Sequence, residues 1–190
     1  KNWYNPHLEY KYFMVPGILV LLLTMVGAFV AALNIVKEKE IGTIEQINVT
    51  PIKKWQFILG KLIPFWIVGM IVFTIGLLVM YIVYGIFPAG GLLTLYLFAG
   101  VFLTALVGLG LLFSTMANTQ LQAMFIAFFF MMIFILMGGI FTPVDSMPHW
   151  AQLIDQANPV YHFMSVMRMI VLKGSTFGDL IHEFVALSVL

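Results

Sequence analysis

Cysteine and charged side chains are the residues that this sequence has least of. The 190-residue chain has no cysteine, which excludes disulfide bonds and thiolate metal sites, and only 9% of its residues are charged. Soluble domains have about 25% charged residues and at this size bury only about 70% of the surface of the unfolded chain. With 62% hydrophobic residues and a mean hydropathy of +1.05, the chain is predicted to be an integral membrane protein.

The sequence also lacks a strong net charge, an initiator methionine and a signal peptide. The formal net charge is +1, so no basic field suggests a nucleic-acid partner. The sequence opens at Lys1 without an initiator methionine or a signal peptide, and it stops at Leu190 inside an apolar run too short for a crossing of about 20 residues. We therefore expect a fragment of a longer protein.

Uncharged runs of spanning length make up most of the sequence. No Asp, Glu, Lys or Arg occurs from Leu62 to Val144, which is room for three crossings of about 20 residues each. Backbone groups in lipid must bond within their own segment, so the spans are predicted to be helices. The predicted fold is an all-α polytopic transmembrane bundle, one transmembrane domain over 1–190. Its spans are predicted at about 14–36, 62–84, 92–116, 122–141 and, incomplete, 177–190.

The loop between the first two spans has most of the positive charge. It contains more than half of the nine Lys and Arg residues, namely Lys37, Lys39, Lys53, Lys54 and Lys61. The positive-inside rule places this loop, 37–61, in the cytoplasm, and parity then puts 84–91 and 142–176 outside. Arg168 and Lys173 in the outer segment, with Lys1 and Lys11, count against this orientation.

Residues 37–54 combine a stripe of isoleucines with acidic flanks. Ile41, Ile44 and Ile47 recur at roughly helical spacing, Gly42 weakens the middle of the predicted helix, and Pro51 ends it. Two interpretations are open: an interfacial helix in the lipid headgroups, or a docking element whose isoleucines enter a groove on a partner. The acidic residues within 38–45 favour the partner slightly, because anionic lipid repels them.

Three segments, in order along the chain, resemble one family. WYNPHLEYKYFMVPG at 3–17, EKEIGTIEQINVTP at 38–51 and GGIFTPVDSMPHWAQLIDQANPVYHFMSVMRMIVLKG at 138–174 are similar to segments of the permeases of ABC-2 type exporters. The resemblance implies that the first span and a large external domain of the family lie upstream of Lys1. It also implies a permease in the inner (plasma) membrane that pairs with a second permease subunit, as a homodimer or heterodimer, and with an ABC ATPase subunit that holds ATP.

The same resemblance gives the cytoplasmic loop a role. It implies that 37–50 is the coupling-helix region that rests on the ATPase, and that ATP-driven closure of the ATPases moves it and exposes substrate outward. The predicted coupling residues are Glu38, Glu40, Ile41, Gly42, Thr43, Ile44, Glu45, Gln46 and Ile47.

Residues 142–176 change pattern and bring back proline and polar residues. A short helix is predicted from Met147 to Gln156, and a second helix from Pro159 to Leu172 that Gly174 ends. One interpretation of this external hairpin is a re-entrant or surface element packed against the spans. The other is an external gate in which His162 and Arg168 meet substrate or an internal acid.

Patterns typical of catalysis are missing. His182-Glu183 begins like the zinc motif HExxH, but Ala186 stands at the second histidine position, and no Walker A, GxSxG or GxGxxG motif occurs in a strand-to-helix context. We expect no catalytic, metal-binding or cofactor-binding residue, and no enzyme activity in this chain by itself. Two alternatives to the exporter stay open: an ion-coupled secondary transporter, which needs a titratable relay among the spans, and a non-transporting membrane scaffold or intramembrane enzyme.

Overall fold

Helices account for the fold of this chain. The computed structural model describes residues 10–42, 53–141 and 144–189, and within these ranges there is no strand. The helices are α1 Tyr10–Thr24, α2 Ala31–Ile41, α3 Lys54–Tyr84, α4 Leu92–Met116, α5 Gln120–Met137, α6 His149–Asp155, α7 Pro159–Lys173 and α8 Ile181–Val189. A π-helical turn, Met25–Val30, joins α1 to α2, and 3₁₀ turns lie at Val144–Ser146 and Phe177–Leu180. The predicted all-α fold is confirmed.

Several of these helices have the dimensions of membrane spans. In the described part of the chain, four stretches are long and apolar enough to cross a membrane: Lys11–Ile41, Leu62–Tyr84, Leu92–Met116 and Gln120–Met137. The first of them combines α1, the π-helical turn and α2 in one continuous helix. The chain is therefore a multi-pass membrane protein.

The centre of the bundle is formed by α4 and α7. The ring of Phe102 on α4 stacks on the ring of Phe163 on α7, with centroids 4.3 Å apart, and Phe73 of α3 contacts Phe163 at 6.2 Å. All three side chains are fully buried. Lipid is as apolar as these rings, so close packing rather than escape from water keeps such helices together. Helix α7 is thus inserted between the spans, packed against α1, α4, α5 and α8.

The bundle has two polar ends, which we call the inner and the outer end. At the inner end, the last turn of α2 meets the turn between α4 and α5. At the outer end, the loop between α3 and α4 meets the last turn of α7, where the amides of Ala89 and Gly90 donate to the carbonyls of Val171 and Ile170. These names follow the predicted orientation.

Several helix boundaries differ from the sequence-based expectation, and α3 begins at Lys54, inside the predicted loop 37–61. The predicted coupling helix passes through Gly42, but α2 ends at Ile41 because Gly42 adopts the left-handed conformation (φ 82°) that terminates a helix. The span predicted at 122–141 is Gln120–Met137 in the structure. The side chain of Thr119 caps its start, and Gly139 (φ 77°) turns the chain away just after its end.

Prolines and glycine delimit the helices of the outer segment. Pro148 precedes α6, Pro159 is the first residue of α7, and Gly174 (φ 68°) ends α7 in the left-handed conformation. The side chain of Asn158 accepts a hydrogen bond from the amide of Val160 and so caps α7. That this segment faces the outside stays a prediction.

Candidate functional site

One face of α2 lies on the junction of α4 and α5. Val36 is fully buried there against Ala117 and Ala123, with Leu33 and Ile126 packed around them. One turn further into the bundle, Ala32 packs with Phe113 of α4 and Ala127 of α5. Small side chains on all three helices let their backbones approach closely. The last turns of α2 are therefore seated in the groove between α4 and α5.

Polar contacts close this groove at the inner end. Lys39 Nζ donates a hydrogen bond of 2.8 Å to the carbonyl oxygen of Ala117. Glu40 Oε2 accepts two hydrogen bonds from Gln120, one from its side-chain Nε2 at 2.9 Å and one from its backbone N–H at 3.2 Å. Residues 36, 39 and 40 share a helix face because they are three and four residues apart. The face that buries Val36 thus carries these polar contacts one turn later.

Lys39 and Glu40 are adjacent and oppositely charged, and each contacts the helix end that favours its charge. Ala117 directly follows the last residue of α4, where carbonyl groups lack helical partners and cations are favoured. Gln120 is the first residue of α5, where amide groups lack partners and anions are favoured. Lys39 and Glu40 therefore satisfy the two ends of the α4–α5 turn at the same time. We call these four residues, Lys39, Glu40, Ala117 and Gln120, the inner clamp.

The other predicted coupling residues are only partly described. Glu38 is half-buried, Ile41 is 64% exposed, and Gly42 forms the left-handed cap of α2. Thr43, Ile44, Glu45, Gln46 and Ile47 lie outside the described residues. Their contact with an ATPase stays a prediction. For Glu40, the structure shows a contact within the chain that the sequence did not suggest.

His162, one of the two predicted gate residues, lies in a buried polar cluster at the first turn of α7. It is 4% exposed. Its Nδ1 is at hydrogen-bond distance from Glu183 Oε2 of α8, and its Nε2 lies 2.9 Å from the carbonyl oxygen of Gln156. Asp155, fully buried on α6, accepts a hydrogen bond from Asn158. His162 therefore connects α7 to α8 and to the end of α6, and the internal acid that it meets is Glu183.

The surroundings of His162 favour its protonated form. Burial by itself would lower the pKa of His162, but the hydrogen bonds to Glu183 and to the Gln156 carbonyl, with the charges of Glu183 and Asp155, raise that pKa above its ordinary value. Burial raises the pKa of Asp155, while the hydrogen bond from Asn158 and the charge of His162 act in the opposite direction.

Arg168, the second predicted gate residue, binds groups of the protein itself. Its guanidinium lies 3.9 Å from the ring centroid of Phe13 on α1, and its Nη2 donates to the carbonyl oxygen of Gly139 at 2.7 Å. It also lines a cleft of about 400 Å³ with Tyr161 and Ser165. These contacts tie α7 to α1 and to the end of α5. A direct contact of Arg168 or His162 with substrate stays a prediction.

Sequence reasoning missed the partners of these residues. In the sequence, residues 117–121 are only the break between two predicted spans, and Glu183 stands out only as part of an incomplete zinc motif. A signal was present in Thr119 and Gln122, which have the spacing of a helix start. Nothing in the sequence pairs that helix start with Glu40, since the two lie 80 positions apart.

Comparison with known proteins places this architecture in a family. The family described as "ABC-2 family transporter protein" matches the chain over residues 1–190. The chain belongs to the ABC-2 transporter family. This confirms the resemblance found in the three sequence segments.

Relatives of this ABC-2 chain carry permease names. It is 39% identical over 176 residues to the probable multidrug ABC transporter permease YbhR of Escherichia coli (strain K12), an alignment that covers 93% of the chain and 48% of YbhR. It is 32% identical to the probable multidrug ABC transporter permease YbhS of the same organism, covering 92% of the chain and 47% of YbhS. The inner membrane transport permease YhhJ of the same strain is 25% identical, over 97% of the chain and 50% of YhhJ.

The ABC-2 chain spans about half the length of the curated relatives it matches. No solved structure gives a significant match to it. The relatives' names and the four apolar helices agree with a multi-pass protein of the inner membrane.

Proposed function

We propose that this chain forms the membrane-spanning part of a permease subunit in an ATP-driven ABC-2 exporter. In this proposal the chain contributes to the translocation path, and ATP is bound and hydrolysed by a separate ATPase subunit. The observation that carries the proposal is the match of the ABC-2 family along the whole chain. The names of relatives aligned over more than nine-tenths of the chain support it.

The polarity of the spans supports an energy source outside the bundle. No Asp, Glu, Lys, Arg or His occurs from Leu62 to Met137, so these spans offer no titratable relay for an ion-coupled carrier. The buried hydroxyl groups of Thr24 and Ser114 donate to carbonyls of their own helices, at 2.8 and 2.6 Å. They are occupied locally and form no relay between helices.

The position of α2 supports docking of the ATPase at the inner end. Helix α2 extends the first span to Ile41, and the left-handed turn at Gly42 then leads into residues 43–52. In the proposal, Ile44 and Ile47 enter a groove on the ATPase, with Glu45 and Gln46 at its rim. Movement of the ATPase is then passed to the lower end of the first span.

Exposed apolar faces on α3 and α5 support the proposal that this chain contacts lipid and a second permease subunit. Ile67, Ile71 and Ile75 form such a face on α3, and Phe125, Phe129 and Met132 form one on α5. In the proposal these faces contact lipid and a second permease subunit. Because YbhR and YbhS are named multidrug permeases, we propose apolar or amphipathic drugs as the substrate class.

Co-purification of an ATPase tests the proposal. Full-length tagged protein is solubilised in mild detergent from its own cells, and the proteins bound to it are identified by mass spectrometry. We expect an ABC ATPase to co-purify with the wild type. In the Ile44→Asp, Ile47→Asp variant the amount of co-purified ATPase should fall about tenfold or more, because two charges would enter the apolar groove; tenfold corresponds to ~1.4 kcal/mol of binding free energy.

A matched control is available at the opposite end. Leu153 and Ile154 on α6 are 54% and 51% exposed, and the Leu153→Asp, Ile154→Asp variant is expected to retain the ATPase. Absence of any ATPase from the wild-type preparation would contradict the exporter. Equal recovery with the wild type and the Ile44→Asp, Ile47→Asp variant would contradict only the docking site.

A further inference from the structure

The inner clamp links two parts of the chain that are far apart in sequence. Lys39 and Glu40 lie at the end of the helix that leads into residues 43–52, whereas Ala117 and Gln120 border the turn that starts α5. The hydrogen bonds between them span 78 and 80 positions. A contact of this kind makes the position of one segment depend on that of the other.

Polar contacts and packing act at the same place in the clamp. Glu40 Oε2 is bonded to a backbone amide and a side-chain amide of the same residue, so it joins the end of α2 to the first turn of α5. Lys39, one position earlier, joins α2 to the end of α4. Beneath them Val36, Ala117 and Ala123 are fully buried, so close packing also holds α2 against this turn.

The turn itself is rigid enough to pass on a displacement. The amide of Asn118 donates to Gln122 Oε1 at 3.0 Å, and the amide of Gln122 donates to Thr119 Oγ1 at 3.3 Å. These bonds join the turn to the first turn of α5. A shift of the clamp therefore moves the start of α5 rather than bending the turn.

We propose that Lys39 and Glu40 are positioning residues that make α2 and the α4–α5 turn move as one unit. This rests on the proposed function, because the displacement is that of residues 43–52 on an ATPase. Glu40 then acts within the chain rather than as a contact for the ATPase. The ATPase would drive α5 through Glu40, in addition to the first span.

The test measures movement directly and needs no transported substrate. Residues 1–190 contain no cysteine, so pairs of cysteines introduced there can carry spin labels once any cysteine in the rest of the full-length protein and in the ATPase has been replaced. One pair, Asn118→Cys with Ala157→Cys, reports the α4–α5 turn against the outer end. A second pair, Lys37→Cys with Ala157→Cys, reports α2 against the same reference. Distances are measured by pulsed electron paramagnetic resonance in the full-length protein with its ATPase, with ADP and with ATP plus vanadate.

We expect nucleotide to change both distances when Glu40 is present. In Glu40→Ala the nucleotide-dependent change in the Asn118–Ala157 distance should be smaller than in the wild type, because only Lys39 and the packing of Val36 still join α2 to the α4–α5 turn. The change in the Lys37–Ala157 distance should persist. Glu40→Gln keeps an acceptor oxygen and should restore the change at Asn118. Gln120→Ala keeps the backbone donor but loses the side-chain donor, so the change in the Asn118–Ala157 distance should lie between those of the wild type and Glu40→Ala.

Several results would overturn this inference. The inference is wrong if the change at Asn118 is as large in Glu40→Ala as in the wild type, or if the wild type shows no change at Asn118 while Lys37 moves. Glu40→Ala must still co-purify the ATPase; failure to do so while the wild type binds it would make Glu40 a docking residue instead. If the wild type binds no ATPase, the proposed function fails first, and co-purification reveals this separately.

Discussion

At the scale of single residues, the contacts of His162 depend on its protonation state. Both ring nitrogens face acceptors, Glu183 on one side and the carbonyl of Gln156 on the other. Only the protonated ring has an N–H for each of them. A neutral ring leaves one of these contacts without a proton, in a site that is almost fully buried.

The raised pKa of His162 predicts that stability falls as pH increases. Because the pKa of His162 is higher in the folded protein than its ordinary value of 6.5, its contribution is complete below about pH 6.5 and is lost as pH rises through the folded value. We expect the melting temperature in detergent to fall as the pH rises above 6.5. Thermal unfolding followed by circular dichroism from pH 5.5 to 9 measures it.

Glu183→Gln is the matched variant for this prediction. It removes the charge that stabilises protonated His162 and leaves Asp155 in place. The fall in melting temperature above pH 6.5 should be smaller in this variant than in the wild type. A wild-type melting temperature that is constant or rises from pH 6.5 to 9 would contradict the assigned role of His162.

At the scale of helices, α4 lies very close to the first span at Gly110. A Cβ at this position would lie 2.8 Å from the carbonyl oxygen of Ala28 and 3.0 Å from the Cβ of Ala31. Ala28 belongs to the π-helical turn, and Ala31 is the first residue of α2. The contact is therefore backbone against backbone, and a rotamer change cannot relieve it.

Gly110→Ala is predicted to destabilise the bundle despite the better helix propensity of alanine. The added methyl group must push α4 away from the first span, at a cost typical of overpacking, about 1–3 kcal/mol. Gly108→Ala on the same helix is the control, because nothing lies within 4 Å of a Cβ there. That variant should be neutral or gain up to about 1 kcal/mol. Denaturation in mixed micelles compares the two, and equal stabilities would contradict the close approach at Gly110.

At the scale of the whole molecule, charged side chains lie outside three of the spans. The inner clamp lies at the inner end, and the cluster around His162 and the contacts of Arg168 lie on α7, which is inserted between the spans. From Leu62 to Met137 there is no charged residue. Titratable side chains within a bundle are stabilised by pairing, as in the contact of His162 with Glu183.

Cysteine labelling is predicted to show the orientation of the two ends. Asn118→Cys lies at the inner end and Ala157→Cys at the outer end, and both positions are exposed. In intact spheroplasts, a membrane-impermeant maleimide should label Ala157→Cys and leave Asn118→Cys unlabelled. In inside-out vesicles the pattern should reverse. The opposite pattern would show that the positive-inside assignment of loop 37–61 is wrong.

Much of the architecture was predictable because it depends on local chemistry. Membrane insertion follows from composition, and the helices follow from the length of the uncharged runs. The start of α7 at Pro159 and its end at Gly174 follow from two residues with restricted or unusual backbone preferences. Gly42 was misjudged as an interior helix residue, because its left-handed conformation depends on whether the helix continues, which spacing alone does not reveal.

The sequence by itself determined membrane insertion, the all-α fold and the resemblance to the ABC-2 family. Only the tertiary structure decided that α7 is inserted between the spans, that Glu40 contacts Gln120, and that His162 contacts Glu183. The physical reason is the distance along the chain over which each interaction acts. Hydrophobicity, proline and glycine act within a few residues, whereas pairing of polar groups depends on which helices become neighbours, and that is set by close packing such as that of Gly110 on Ala28.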